Sequence, residues 1–273
     1  MHKRLLLTPS ADQPYPLFIE SIGHHEDQEK IIRDEGYPYY HWLQTYSGEG
    51  ELWTGGKCYR LSSCCGFLLP PSAQHAYSGI TDVWCTQYIT FGGPLAEAIL
   101  HRLGLHDASM YRWESSTTLA TSIMRILAKA ETGNEYTGYD ASADLYAFLM
   151  ALKKHGQVNN RASISKQIMY LQPLLDFLEH HFADPDLGLT RMAEVLGITP
   201  RHMNTLFHHA FDLSPYTYLI LLRLRKSKEL LLSSPQITVK HVAEQSGFRD
   251  ASHYVSSFRR HVGLTPEKFR QLN

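Results

Sequence analysis

Hydrophobic and polar positions follow two different rhythms along the chain. Up to about residue 115, apolar residues come in short runs rich in aromatic and β-branched side chains: Tyr39 to Tyr46, Cys58 to Leu61, Gly66 to Leu69 and Trp84 to Phe91. Turn-forming pairs separate them, namely Ser47-Gly48, Gly55-Gly56, Pro70-Pro71 and Gly92-Gly93. Many short strands with tight turns predict a sandwich or small barrel. Within the last run, Thr86, Tyr88 and Thr90 alternate onto one face, as the wall of a pocket requires.

From Leu119 the rhythm turns helical. Leu119, Ile123, Ile126, Leu127 and Ala130 share one face, and Leu145, Phe148, Leu149 and Leu152 recur at i, i+3, i+4 and i+7. Two such helices can cover the barrel or pair with a second copy of the chain, and a dimer interface is the favoured expectation. Gly156 to Ser165 is polar and reads as a linker, and everything after Ile168 reads as helix. The predicted class is therefore α+β: a barrel over 1–115, a helical dimerisation segment over 116–155, a linker over 156–167 and an all-α domain over 168–273.

The all-α part contains an internal duplication. One copy carries Ala193-x3-Gly197 and Phe207-x7-Pro215, the other Ala243-x3-Gly247 and Phe258-x7-Pro266. The small alanines let two helices cross closely, and the glycines permit the positive φ that ends one helix and turns the chain into the next. Thr199 with Pro200, and Asp250, then cap the second helices. Met203, Leu206, Phe207 and Ala210 in one copy, and Ala251, Tyr254, Val255 and Phe258 in the other, form the buried faces. Helix, short turn and capped second helix make a helix-turn-helix, here present twice. Ser214 and Pro215 open a connecting helix to about Leu232, whose length of roughly 27 Å suits two helices entering successive major grooves.

Charge changes the picture by pointing to the partner. The whole chain is near neutral at −1, yet residues 187–273 hold 12 Lys and Arg against 6 acidic residues, while the preceding part holds 14 against 21. A basic segment with two polar second-helix faces predicts contact with double-stranded DNA. Arg201, His202, Asn204, Thr205 and His208, with Ser252, His253 and Ser256, are the candidate base contacts. Arg223, Arg225, Lys226, Lys228, Arg259 and Arg260 are the candidate phosphate contacts.

Other features exclude more than they assign. A composition 43% hydrophobic and 19% charged is that of an ordinary globular protein. The N-terminus lacks a signal-peptide core and no run reaches a membrane span, so a cytoplasmic location is expected. Cys58, Cys64, Cys65 and Cys85 have no zinc-finger spacing and read as reduced, mostly buried thiols. The adjacent pairs His24-His25, His180-His181 and His208-His209 read as surface. No nucleophile triad or phosphate loop stands out, so neither catalysis nor a cofactor is expected.

The C-terminal hundred residues, and GFRDASHYVSSFRRHVGLTPEKFR above all, resemble the AraC/XylS family of transcriptional regulators. Asp212 replaces a usual Gly and Ser227 a usual Ala. The order Arg33-x2-Gly36, Gly48-x-Gly50, Pro70-Pro71-x3-His75-x-Tyr77 and Trp84-x6-Phe91 is similar to the sugar-sensing cupin barrel of that family. The resemblance implies an effector pocket lined by Arg33, Tyr77, Thr86 and Tyr88; His41 and His75 are added as further candidates. It also implies a sugar-like effector, a homodimer, activation rather than repression, and contact with RNA polymerase. Two other readings stay open. The barrel serves only dimerisation or protein contacts, or it is a metal-dependent cupin enzyme built on His41, Glu49 or Glu51, and His75, although Tyr39 stands where that site's paired histidine belongs.

Overall fold

The computed structural model describes residues 2–7, 15–132, 136–159, 161–234 and 236–272. The chain divides into two compact units, Met1–Ile164 and Ser165–Asn273. Among the described residues, no helix is long and apolar enough to cross a membrane.

The first unit is a barrel of two antiparallel sheets. One holds β1 (His2–Leu6), β2 (Phe18–His25), β9 (Cys85–Gly92), β4 (Tyr40–Ser47), β7 (Cys65–Leu69) and β10 (Ser109–Arg112), in that spatial order. The other holds β3 (Ile31–Arg33), β8 (His75–Gly79), β5 (Gly50–Thr54) and β6 (Lys57–Leu61). The four expected runs are β4, β6, β7 and β9. The strands β2, β5 and β8 escape the pattern because His, Ser, Gly and Glu interrupt their apolar positions. A short helix α1 (Ala96–Leu103), which the pattern also misses, follows β9.

The larger sheet is buried on both faces. Its inner face turns Leu43, Phe67 and Leu69 onto Leu52, Leu61 and Trp84 of the smaller sheet and its loops. Its outer face turns Ile19, Ile22, Trp42, Ile89 and Phe91 onto α2 (Thr118–Thr132) and α3 (Gly138–His155). Leu119, Ile123, Leu145, Leu149 and Leu152 are wholly buried there, each contributing about 1.5–3 kcal/mol. This corrects the expectation that these faces meet a second copy: the barrel's outer sheet occupies them. Between the strands, Gln44 accepts from the Trp42 indole and donates to Gln87, both at 2.8 Å. Where the strands turn at Gly50, a Cβ would stand 2.3 Å from the Trp84 ring, so only glycine lets β5 pass it. Of the cysteines, Cys65 and Cys85 are buried as expected, but Cys58 is exposed on β6.

The second unit is all helix: α4 (Ile164–His181), α5 (Leu189–Val195), α6 (Pro200–Phe211), α7 (Pro215–Ser233), α8 (Val239–Gln245), α9 (Ala251–Val262) and α10 (Pro266–Leu272). It holds two cores. Leu171, Leu174 and Leu178 join Met192, Met203 and Phe207 in the first, and Leu224 and Leu231 join Val242, Tyr254 and Phe258 in the second. The connecting helix α7 contributes to both, with Leu219 and Leu222 on one side and Ile220 and Leu224 on the other. The expected caps form: Thr199, Ser214 and Asp250 accept from the backbone N–H of His202, Thr217 and His253.

Gly247 is required by more than its φ of +82°, because a Cβ there would lie 2.2 Å from the Phe182 carbonyl oxygen and 2.9 Å from Arg223 Nε. Gly247→Val is expected to destabilise the second helix-turn-helix by at least about 1–3 kcal/mol. Thermal unfolding checks this, and an unchanged melting temperature would show that the Phe182 carbonyl can move aside.

Candidate functional site

In the DNA-binding unit the turn glycines, the N-caps and the apolar stripes orient α6 and α9 so that one face of each is buried and the other open. On α6, Arg201, His202, Thr205 and His208 are exposed and Asn204 is half-buried; on α9, Ser252, His253, Ser256 and Arg259 are exposed. Arg259 and Arg260 border an open groove of about 860 Å³ with Ser252, Ser256 and Thr265, and neither forms an ion pair among the described residues. These faces have the make-up of a base-reading surface edged by cations.

The phosphate-contact candidates separate into groups. Arg225 pairs with Glu179, and Lys226 lies 3.6 Å from Glu179 and 3.8 Å from Glu229. Lys228 stands 5.6 Å over the Phe269 ring. Arg223 is a correction. It is 3% exposed, and its Nε and Nη2 donate to the carbonyls of Phe182 at 2.8 Å and Asp184 at 2.7 Å. Its place in a basic run suggested solvent, but it lies on the inward face of α7 and ties that helix to the turn before α5. Arg223→Leu would orphan both carbonyls and is expected to cost about 2–4 kcal/mol of stability while leaving the salt dependence of DNA binding unchanged. A salt slope reduced by about one at unchanged stability would instead make it a phosphate contact.

In the barrel, β1, β2, β3, β4, β8 and β9 line a cavity of about 240 Å³. Arg33, His41, Tyr77 and Tyr88 line it as expected, together with Arg4, Ser21, His25, Gln28, Tyr37 and Thr90. Thr86, expected in the wall, is fully buried and donates to Gln28 Oε1 at 2.7 Å, so Gln28 covers it. His75 stands behind the wall, donating from Nδ1 to the Ala73 carbonyl at 2.6 Å and stacking on Tyr77. His25 was expected at the surface and is in the wall instead. Ser21 and His25 could have been found only by recognising β2 as a strand; Thr90 was signalled by its alternation with Tyr88.

Polar order inside the cavity is tight. Arg33 Nη1 lies 3.3 Å from His41 Nδ1; a guanidinium only donates, so this nitrogen accepts and the imidazole proton sits on Nε2. The guanidinium also lies 4.4 Å over the Tyr37 ring. Glu20 accepts from Tyr37 at 2.9 Å and Thr90 at 2.6 Å and has Arg4 at 4.0 Å. Burial alone would raise the Glu20 carboxyl, but the hydrogen bonds from Thr90, Ser21 and Tyr37 and the Arg4 charge outweigh it, leaving its pKa lowered. Burial pushes the Tyr77 phenol up to about 12. Burial, and then the charges of Arg33 and His75, hold His41 well below 6.5, and His75 is lowered chiefly by burial.

The metal-site reading finds no support in this geometry. Glu49 is engaged by Arg60 and Glu51 accepts from the Cys58 thiol at 3.7 Å. Among the described residues, no three His, Cys, Asp or Glu side chains come together to hold a metal.

A polar, ligand-sized cavity and a duplicated helix-turn-helix carried by one chain define a one-component DNA-binding regulator with a ligand-binding domain. Residues 18–149 match the AraC-like ligand binding domain and residues 192–272 match a helix-turn-helix domain. The Msm operon regulatory protein of Streptococcus mutans is 24% identical over 230 residues, 82% of this chain and 81% of that protein. The HTH-type transcriptional activator RhaS of Escherichia coli is 25% identical over 275 residues, 96% of this chain and 89% of that protein. The chain belongs to the AraC/XylS family of transcriptional regulators, which are not enzymes. Among solved structures, the C-terminal domain of the response regulator yesN from Fusobacterium nucleatum shares 25% identity over 36% of this chain and 95% of that one, with a TM-score of 0.35.

Because His41 is neutral in the fold, the unfolded chain takes up its proton first as pH falls below 6.5. The barrel is therefore expected to hold its full stability above that value and lose it progressively below. Melting temperatures of the wild type and His41→Gln, from about pH 7.5 down to about pH 5, check this: the variant should show a shallower fall, and an identical fall would place the titration elsewhere.

Proposed function

We propose that a carbohydrate bound in the barrel cavity alters how the helix-turn-helix pair engages promoter DNA, and that the protein is an activator. The observation that carries this reading is the polar cavity of the barrel, which Arg33, His41, Tyr77 and Tyr88 line together. A guanidinium can donate two parallel hydrogen bonds to neighbouring hydroxyls, and aromatic faces stack on the C–H side of a sugar ring. Activation is supported by the similarity to RhaS, named as a transcriptional activator. The switch requires only that the effector bind one arrangement of the protein more tightly than another.

On the DNA, Arg201, His202, Asn204, Thr205 and His208 of α6 and Ser252, His253 and Ser256 of α9 read base edges. Arg259 and Arg260, with Arg225, Lys226 and Lys228 once they exchange their present partners, hold phosphates. Action in the cytoplasm as a pair of copies, with a contact to RNA polymerase, completes the reading on family resemblance alone.

An operator selected from random duplexes gives the test. Arg201→Ala and His253→Ala should each cost about 1–3 kcal/mol of specific affinity with little change in non-specific binding; a uniform loss on every sequence would make them phosphate contacts. Melting of the full chain with a sugar panel tests the effector, with about 2.7 kcal/mol of stabilisation expected at about 100 times the Kd. A barrel that no carbohydrate stabilises, neutral sugar or sugar acid, would serve dimerisation or protein contacts instead.

A further inference from the structure

We infer that the effector is a polyhydroxylated carboxylate of sugar size, a sugar acid, whose carboxylate docks on Arg33. The inference rests on the reading that the barrel cavity is the effector site.

The wall carries one positive charge more than it balances. Arg4 and Glu20 stand 4.0 Å apart and answer each other, and Glu20 is further occupied by Tyr37 and Thr90. Arg33 has no such partner: among the described residues, no carboxylate lies within ion-pair distance of it. Of the five N–H donors a guanidinium owns, one meets His41 Nδ1, and no protein oxygen takes the others among the described residues. Its charge is otherwise met only by the face of Tyr37. Arg223 shows what this chain does with an arginine meant to be satisfied internally, giving it two carbonyls at 2.7 and 2.8 Å.

The groups beside Arg33 add no negative charge of their own. The contact with Arg33 occupies His41 Nδ1 and leaves that ring's proton on Nε2. The Tyr77 hydroxyl, in the same wall, has no hydrogen-bond partner among the described residues. His25 adds no negative charge. An unanswered cation in the same wall as an unpartnered phenol O–H calls for a group that accepts hydrogen bonds and carries negative charge, which is a carboxylate. A neutral sugar in the same place would leave the partly buried Arg33 charge without a counter-charge. A phosphate monoester brings close to two negative charges, more than the single surplus charge of the wall.

Other parts of the lining are polar and uncharged. Ser21 and Gln28 keep hydrogen-bonding capacity beyond their contacts with Thr90 and Thr86, whereas the Thr90 hydroxyl is spent on Glu20. Such groups pair with alcohols, and Tyr77 and Tyr88 supply faces for the carbon ring. A volume of about 240 Å³ equals about eight waters at about 30 Å³ each, room for a six-carbon acid and little more.

The test uses the full chain and three matched sets of probes: D-galacturonate, D-glucuronate and D-gluconate; the neutral sugars D-galactose and D-glucose; and the methyl esters of the two uronates. The expected result is a rise in melting temperature with at least one acid, and none with its ester or with the neutral sugars at equal concentration. Arg33→Gln should weaken that acid by about tenfold or more, as loss of a charge-assisted pair requires. A neutral sugar or an ester that stabilises as well as the acid overturns the inference and leaves the carbohydrate reading standing. An acid whose affinity is unchanged in Arg33→Gln also overturns it. If no probe of any set shifts the melt, the inference and the carbohydrate reading fall together. Because the esters change the ligand and leave the protein intact, the comparison holds even where Arg33→Gln folds poorly.

Discussion

A guanidinium withdrawn from water must recover its hydrogen bonds, and the two units answer that constraint differently, with Arg223 almost wholly buried and Arg33 only partly so. Arg223 recovers its hydrogen bonds from the carbonyls of Phe182 and Asp184. That contact fixes α7 against the turn that precedes α5, and Gly247 leaves the space it needs. Arg33 recovers far less, one ring nitrogen and one aromatic face, and its remaining capacity faces a cavity. One arginine is a fastener. The other is a socket.

The surrounding structure follows from these assignments. A fastener is useful only if the parts it joins are rigid, and α7 supplies rigidity by burying leucines in both small cores at once. A socket needs walls that do not collapse onto it. The larger barrel sheet is held from outside by α2 and α3 and from inside by the smaller sheet, so its strands cannot close over Arg33. Neutral histidines behind and beside the guanidinium keep the cavity free of further positive charge at ordinary pH.

The DNA-binding unit was legible in the sequence almost residue by residue, because its information is local. Caps, turn glycines and i, i+3, i+4, i+7 stripes each act within a few positions, and even Asp212 takes the left-handed conformation, at φ 57°, that its match to Gly263 requires. The barrel was legible only in part. Strands such as β2 and β8 mix polar and apolar residues because one face of each looks into a polar cavity, which erases the alternation that announces a strand. Thr86 was misplaced for a related reason: alternation gives the face a side chain points to, but cannot show that Gln28, from another part of the chain, lies over it. A basic run says nothing about which of its members turns inward, so the burial of Arg223 leaves no mark in the sequence. The destination of the α2 and α3 faces depends on what they pack against, and the sequence holds that only implicitly.

The ends of the two sheets carry a further consequence. The smaller sheet stops at β3, three residues long, and at β6, whose outward positions include Lys57 and Arg60; the larger stops at β10, four residues long, and at β1. Short or charged edges are poor templates for another strand. The barrel therefore offers another chain few edges suited to strand-to-strand polymerisation.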